Sequence, residues 1–332
     1  MGTMSVERAG LDRAGSASGG VGRGGLVAIR GMAREAVAGV LRRAAVFEAA
    51  AASGGDVRLA PGRVLANLFF EDSTRTRASF AVAAQRLGMG VLDLPEQGSS
   101  SAKGETLLDT ARTLESAGAD VLVVRAKAAG SAALVARSVG VPVVNAGDGR
   151  HEHPTQGLLD CYALAKATGR ASGFDLSGLR VAIVGDVLNS RVARSDVHAM
   201  TSLGAEVVLV GPREFVPRSL GALGCSVSHD LDGLIGGMDA VQMLRVQFER
   251  HWGGEEKGRG AWSAASYRVQ YAMTAERLAR LKRGAVVMHP GPANVGLEID
   301  GAVFSDERSL VREQVRGGLY IRMAVLAGSL GV

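Results

Sequence analysis

Residues 69–80 read Phe-Phe-Glu-Asp-Ser-Thr-Arg-Thr-Arg-Ala-Ser-Phe, and this segment gives the clearest view of how the chain folds. The end of an apolar strand runs directly into a segment of helical period, and Ser73 or Thr74 is placed to cap that helix. The N–H groups of the first turn, the two hydroxyls and the guanidinium of Arg75 then converge on one point. The segment therefore predicts an anion site, best matched to a phosphate. A plain capping segment with surface arginines would not need so many phosphate donors.

The same alternation of strand and helix continues along the rest of the chain. Short runs of Val, Leu and Ile between segments of helical period are typical of parallel strands crossed by helices. The predicted strands are residues 64–69, 90–94, 120–125, 141–145, 181–184, 206–210, 225–227, 239–243 and 285–289. Their number predicts an α/β protein with two doubly wound parallel-sheet domains of about 130 to 150 residues each.

Two long helical segments are predicted to join these domains. Residues 155–168 lie between the two series of strands and are predicted to form a bridging helix. Residues 308–330 have helical periodicity and no partner in their own neighbourhood, so we expect them to return to the first domain. The predicted boundaries are 27–157 with 308–332 for the first domain and 158–307 for the second. Residues 1–26, rich in Gly, Ser and Arg, are predicted to be a disordered tail.

The composition argues against several classes of protein. The net charge is +5, but the basic residues are scattered among acidic ones and only 4% of residues are aromatic, so no nucleic-acid partner is predicted. A small polyanionic substrate would explain the same excess. The apolar stretches are far shorter than the roughly 20 residues that cross a bilayer, so no membrane span is predicted. Two cysteines, Cys161 and Cys225, are too few for a disulfide framework, which favours a cytoplasmic location.

Further polar residues follow other predicted strands, at the edge of the sheet where α/β proteins bind ligands. Arg125 ends a strand and would bring a second guanidinium to the anion, although its position alone suits a surface arginine equally well. Residues 151–153 read His-Glu-His but lack the His-Glu-x-x-His spacing, so no metal site is predicted. Residues 184–195 lack the glycines of a dinucleotide turn, so NAD is disfavoured and no cofactor is predicted.

The string Ser-Thr-Arg-Thr-Arg at residues 73–77 resembles the carbamoyl-phosphate signature of the aspartate and ornithine carbamoyltransferases. The resemblance covers nearly the whole chain after the tail and recurs in order at separate motifs. It implies a carbamoyl-phosphate domain followed by an amino-acid domain, with His153 polarising the carbonyl oxygen. The residues implied to bind carbamoyl phosphate are Ser73, Thr74, Arg75, Thr76, Ser99, Lys103, Arg125, His153, Gln156, Pro290 and Gly291. The implied catalytic residues are Arg75, Thr76, Lys103, Arg125 and His153.

Residues 99–106 form a polar loop before a helix, which on its own would be a flexible surface loop. In the family this loop supplies a serine and a lysine to the active site of the neighbouring subunit, and the matching residues are Ser99 and Lys103. The resemblance therefore implies an obligate oligomer with shared active sites and a homotrimer at its core. A regulatory chain or a dihydroorotase as a further partner is left open by the sequence.

The residues after the strand 239–243 indicate the acceptor. Residues 245–247 read Arg-Val-Gln, as in the aspartate enzymes, where this string grips the side-chain carboxylate of the substrate. The ornithine enzymes carry a Ser-Met-Gly-type string, because an ammonium substrate must not face a guanidinium. Residues 289–292 read His-Pro-Gly-Pro, which also has the form of the aspartate enzymes and lacks the cysteine of the ornithine enzymes. The residues implied to bind aspartate are Lys103, Arg191, Arg245, Gln247 and Pro292.

Two further residues concern the loops of the site. The resemblance implies that Glu71 bridges to Arg191 and Arg250 when the domains close on their substrates. Val295 departs from the family's pattern, because many relatives carry an arginine there. The departure alters the charge balance of that loop and leaves the phosphate residues untouched.

The implied reaction is carbamoyl transfer from carbamoyl phosphate to the α-amine of L-aspartate, giving N-carbamoyl-L-aspartate and phosphate in de novo pyrimidine synthesis. One alternative is a sister carbamoyltransferase with another amino-acid acceptor, such as ornithine. Another is a non-catalytic relative that serves as a scaffold in a complex of pyrimidine enzymes. Such relatives lose phosphate residues, whereas here all the matching positions are retained. A Rossmann nucleotide binder is disfavoured by the absence of the glycine turn.

Overall fold

The computed structural model of the chain describes residues 24–94, 106–246 and 262–332. These residues form two compact units, one comprising the chain up to Leu159 together with Arg316–Val332 and the other comprising Asp160–Val315. Each unit is built on one five-stranded sheet in which all strand pairs are parallel. The predicted fold class, an α/β protein with two parallel-sheet domains, is confirmed.

The sheet of the first unit has long, buried strands at its centre. Its strands are β1 (Gly25–Leu26), β2 (Val64–Phe69), β3 (Gly90–Asp93), β4 (Val121–Ala126) and β5 (Val143–Asp148). They lie in the order β1-β5-β4-β2-β3. Strands β2 and β4 are apolar and buried almost throughout, because helices cover both faces of a parallel sheet. The helices are α1 (Arg34–Ala52), α2 (Thr74–Arg86), α3 (Leu107–Ser116), α4 (Ser131–Ala136) and α5 (Pro154–Ala167).

The second unit repeats this design with a sheet of its own. Its strands are β6 (Arg180–Val184), β7 (Glu206–Val210), β8 (Ser226–Ser228), β9 (Ala240–Met243) and β10 (Val286–Met288). They lie in the order β10-β9-β6-β7-β8, so β6 and β9 are central. The helices are α6 (Arg191–Ser202), α7 (Ala264–Tyr271), α8 (Ala275–Arg280), α9 (Gly301–Phe304) and α10 (Val311–Leu330). Every predicted strand overlaps an observed one.

Two of these helices carry the chain from one unit to the other. The division between the units falls after Leu159, within α5, and after Val315, within α10. Helices are predicted from the sequence at residues 155–168 and 308–330, and the structure has them there with small differences at their ends. No helix in the described part of the chain combines the length and the apolar character that crossing a membrane requires.

The structure differs from the predicted tail at its last residues. Gly25 and Leu26 form β1, an edge strand that pairs in parallel with Val143 and Val144 of β5. Gly25 has a positive φ of 90°, and a Cβ at this position would overlap the backbone of Val143. The strand is held by main-chain hydrogen bonds and by close approach of the two backbones. Because these contacts do not depend on apolar side chains, no hydrophobic pattern in the sequence predicts the strand. Residues 1–23 lie outside the described part of the chain.

Candidate active site

The predicted anion site lies where β2 ends and α2 begins. Ser73 is the N-cap residue of α2, but its side chain makes no capping hydrogen bond, unlike a simple capping serine. Thr74 and Arg75 are exposed in the first turn, whereas Thr76 is buried. Desolvation lowers the pKa of Arg75 from its ordinary value. Hydroxyls, first-turn N–H groups and a guanidinium are thus gathered at one helix N-terminus, where the helix dipole also favours an anion.

Arg77, the second arginine of the same string, has a structural role. Its Nε lies 3.5 Å from Oδ1 of Asp93 on β3. Its guanidinium also covers the ring of Phe69 at 5.2 Å from the centroid. These contacts direct Arg77 toward β3 and the sheet. Arg77 therefore stabilises the fold, whereas Arg75 lies at the anion site.

Arg125 lies beside the anion site because of strand register. It is paired with Phe69 across β4 and β2, so it occupies the same edge of the sheet as the start of α2. Its Nη1 donates to the carbonyl oxygen of Ala146 over 3.1 Å, and its Nη2 donates to Oε1 of Glu71 over 3.3 Å. The side chain is only 11% exposed. Arg125 is therefore held in place by a neighbouring strand and by the β2–α2 loop before any ligand binds.

His153 and Gln156 mark the start of α5, beyond the carboxyl end of β5. The carbonyl oxygen of His153 accepts hydrogen bonds from the N–H groups of Gln156 and Gly157, over 2.9 and 3.3 Å. Both His153 and Gln156 are buried. The strand ends of β2, β4 and β5 thus bring the start of α2, Arg125 and His153 to one edge of the first sheet.

Two buried carboxylates that the sequence analysis did not assign support this edge. Glu152 accepts hydrogen bonds from the N–H groups of Ile29 and Arg30, over 2.7 and 3.1 Å. Asp148 accepts from the N–H groups of Gly130 and Glu152, over 2.7 and 3.2 Å. Glu152 therefore anchors a distant segment rather than a metal. Among the described residues, no group of three or more His, Cys, Asp or Glu side chains has the arrangement of a metal site.

In the second unit, the predicted aspartate residues follow three neighbouring strands. Arg191 is the first residue of α6, whose N-cap hydroxyl at Ser190 accepts from the N–H of Ala193 over 3.1 Å. Arg245 lies two residues beyond β9, and residues 290–292 follow β10. Because β10, β9 and β6 are adjacent and parallel, all three segments lie at one edge of this sheet.

The loop after β10 is shaped by the buried side chain of His289. The N–H of Gly291 donates to Nδ1 of His289 over 2.8 Å, which leaves the ring proton on Nε2. Nε2 then lies 3.3 Å from Oε1 of Glu298 and donates to it. Glu298 also accepts from the N–H of Asn294 over 2.5 Å. Sequence reasoning missed Glu298 as the partner of His289, because the two residues are nine positions apart.

Four predicted site residues lie outside the described part of the chain. They are Ser99, Lys103, Gln247 and Arg250. Glu71 accepts a hydrogen bond from Arg125 of its own unit. Val295 is exposed.

The segments that contain these two sheet edges match models of known protein domains. A model of the aspartate/ornithine carbamoyltransferase carbamoyl-P binding domain matches residues 25–166, and a model of the Asp/Orn binding domain of the same family matches residues 177–328. The chain belongs to the aspartate/ornithine carbamoyltransferase family. The strand edge with Arg75 and Arg125 lies in the segment matched by the carbamoyl-P model, and the edge with Arg191 and Arg245 lies in the segment matched by the Asp/Orn model.

Similar proteins within the family are aspartate carbamoyltransferases. The chain is 48% identical to the aspartate carbamoyltransferase catalytic subunit of Rhodospirillum rubrum, over 91% of this chain and 92% of the relative. It is 46% identical to that of Myxococcus xanthus, over 91% and 97%. A crystal structure of Trypanosoma cruzi aspartate transcarbamoylase with carbamoyl phosphate matches with a TM-score of 0.81 and 30% identity, over 92% of this chain and 95% of that one. The complex with carbamoyl phosphate and aspartate matches with a TM-score of 0.80 and 29% identity, over 92% and 94%.

Proposed function

We propose that this chain transfers the carbamoyl group of carbamoyl phosphate to the α-amine of L-aspartate, giving N-carbamoyl-L-aspartate and phosphate in pyrimidine synthesis. The observation that carries the proposal is the start of α2, where hydroxyls and Arg75 meet at a helix N-terminus beside Arg125 of the neighbouring strand β4. The names of the relatives support aspartate as the acceptor. Arg245, two residues beyond β9, supports it independently because a guanidinium suits an anionic substrate.

The first half of the mechanism concerns carbamoyl phosphate. The phosphate is held by the hydroxyls and N–H groups at residues 73–76 and by the guanidinium of Arg75. The aspartate amine attacks the carbonyl carbon and gives a tetrahedral intermediate whose oxygen carries negative charge. Thr76, Arg125 and His153 stabilise that oxyanion, because donors that are already oriented lower the barrier without reorganising. The C–O bond to phosphate then breaks, and the departing phosphate takes the proton of the amine.

The second half of the mechanism concerns the acceptor. Arg191 and Arg245 bind the two carboxylates of aspartate, together with Gln247. Backbone carbonyls in the segment 290–292 accept hydrogen bonds from its amine. The rate gain of this arrangement is mainly positional, because two polyanions are held with the amine facing the carbonyl carbon.

The assembly is also part of the proposal. By resemblance, Ser99 and Lys103 enter the active site of a neighbouring subunit, which makes the enzyme a homotrimer with shared sites in the cytoplasm. Glu71 bridges to Arg191 and Arg250 on closure.

The deciding experiment offers the purified chain carbamoyl phosphate with either L-aspartate or L-ornithine, in the presence of a chelator. Turnover of aspartate alone is expected and supports both the acceptor and a reaction that needs no dissociable metal. Turnover of ornithine would overturn the role of Arg245. No turnover with either amino acid would favour the alternative that the chain is a non-catalytic scaffold. Light scattering of the active enzyme tests the assembly, because a fully active monomer contradicts shared sites.

A further inference from the structure

A cluster of four buried polar side chains lies in the second unit, outside the groups that the proposed mechanism uses. Its members are Asp160, Asp196, Gln242 and Gln314, on α5, α6, β9 and α10 respectively. Each has a relative exposure of 2% or less. Burying polar groups costs free energy unless hydrogen bonds compensate for the lost water, so the partners of each group matter.

Gln314 connects the cluster to the loop after β10. The backbone N–H of His289 donates to Oε1 of Gln314 over 3.0 Å, and this contact determines the orientation of the amide. Nε2 of Gln314 consequently faces Asp160 and donates to its Oδ1 over 2.7 Å. Since His289 directly precedes Pro290, the position at which this loop leaves the sheet is set by a side chain from α10.

Gln242 connects the same carboxylate to two other elements. Its Nε2 lies 3.1 Å from Oδ2 of Asp160 and 3.4 Å from Oδ2 of Asp196. Gln242 is on β9, three residues before Arg245. Asp196 is on α6, which begins at Arg191. The cluster therefore joins α6, β9 and the end of β10, which are the elements next to the proposed aspartate-binding segments.

The two carboxyl groups of the cluster lie against the same amide nitrogen of Gln242. Asp196 is hydrogen-bonded to Asp160, and burial together with the negative charge of Asp160 raises the pKa of Asp196 well above its ordinary range. Oδ1 of Asp196 is itself buried, so water does not offset the cost of a negative charge on this carboxyl group. The nearby thiol of Cys161 has its own pKa raised by burial and by both carboxyl groups, so it stays neutral. Two adjacent buried carboxylates do not both ionise near neutral pH.

We propose that Asp160, Asp196, Gln242 and Gln314 form a positioning network that fixes the relative placement of Arg191, Arg245 and the 290–292 loop for aspartate binding. The network rests on the proposed function, because its output is the geometry of the aspartate-binding segments. Asp160 accepts from both glutamines and from the protonated Asp196, and so acts as its centre.

The first test replaces Gln314 with methionine, which keeps the volume and removes both hydrogen bonds. The KM for aspartate is expected to rise by about tenfold, as for a lost buried hydrogen bond, with the KM for carbamoyl phosphate within about twofold. The control is Asp232→Asn, which removes a partner of Arg277 at 2.7 Å in the same unit. It is expected to lower stability without raising the KM for aspartate. Equal changes in both KM values for Gln314→Met would overturn the positioning role.

The second test compares Asp196→Asn with Asp196→Leu. Asparagine donates to Asp160 and accepts from Gln242 as a protonated aspartate does, so the KM for aspartate is expected to stay within about twofold. Leucine leaves Asp160 without that donor, and a rise of about tenfold is expected. Equal KM values for the two variants would overturn the network.

Thermal unfolding tests the raised pKa of Asp196 without any substrate. A carboxyl whose pKa is raised by folding binds its proton more tightly in the folded state, so it lowers stability progressively as pH rises above the unfolded value of about 3.9. The melting temperature of Asp196→Asn minus that of the wild type is therefore expected to grow from about pH 5 to about pH 8. A constant difference would overturn the proton assignment.

The two proposals fail in different ways. A wild-type enzyme that does not carbamoylate aspartate overturns the proposed function, and the positioning role falls with it. A wild-type enzyme that does so, combined with Gln314→Met and Asp196→Leu variants of unchanged KM for aspartate, overturns only the network.

Discussion

The two units share one sheet design but build their binding edges in different ways. In the first unit the anion site is local, because the N-cap, the hydroxyls and Arg75 are consecutive at the start of α2. In the second unit the candidate aspartate residues follow three different strands, β6, β9 and β10. A local site depends mainly on its own few residues, whereas a distributed site depends on whatever aligns its strands. Substitutions in the two units can test that difference.

The largest effect is expected at the local site. Arg75→Ala removes a cation from the phosphate and should lower kcat by about a hundredfold to a thousandfold, the cost of one oxyanion-type donor of about 3 to 4 kcal/mol. Arg77→Ala is the matched control, because Arg77 contacts Asp93 and Phe69 instead. The control should melt at a lower temperature with kcat nearly unchanged. A kcat for Arg75→Ala within tenfold of wild type would show that Arg75 does not have this role at the phosphate.

A smaller effect is expected at the distributed site. Arg245→Leu removes a charge-assisted contact with a carboxylate and should raise the KM for aspartate by about 30-fold to 100-fold. The KM for carbamoyl phosphate should not change. Steady-state kinetics with each substrate varied in turn measure the split. A rise confined to the KM for carbamoyl phosphate would show that Arg245 does not bind aspartate.

Glu71→Ala distinguishes two roles for this residue, one in domain closure and one in holding Arg125 in place. If Glu71 acts in closure, its loss should weaken aspartate binding by about tenfold and carbamoyl phosphate much less. If its contact with Arg125 at 3.3 Å is the important one, carbamoyl phosphate should be affected at least as strongly. Binding of each substrate by calorimetry separates the outcomes, and equal losses count against the closure role.

The smallest kinetic effect is expected from Glu152→Gln. Glu152 accepts from two backbone N–H groups, at Ile29 and Arg30, so the substitution should lower the melting temperature by about 5 °C. Because this side chain anchors a distant segment, kcat should change by less than about threefold. Calorimetric melts and initial rates on one preparation measure both. A large loss of kcat without a loss of stability would place Glu152 in the chemistry.

The sequence indicates the candidate site of the first unit more directly than that of the second. The segment 73–77 carries its own information, because a strand end, a cap and the phosphate donors are contiguous. The fold class follows from the alternation of strands and helices. By contrast, Gln314 reaches Asp160 across 154 residues, and no local pattern announces such a pair. Strand β1 was missed for the same reason, since two residues at an edge depend on their partner strand.

Helices α5 and α10 each contain a point where the chain changes unit, and this has a consequence for folding. The first unit includes Arg316–Val332, so it is discontinuous in sequence. Arg322 on α10 donates to Oγ of Ser79 on α2 over 2.9 Å, across 243 residues. Contacts of such separation form late, because long loops close slowly. During synthesis, the first unit therefore cannot be completed until residues 316–332, which follow the second unit in sequence, have been made.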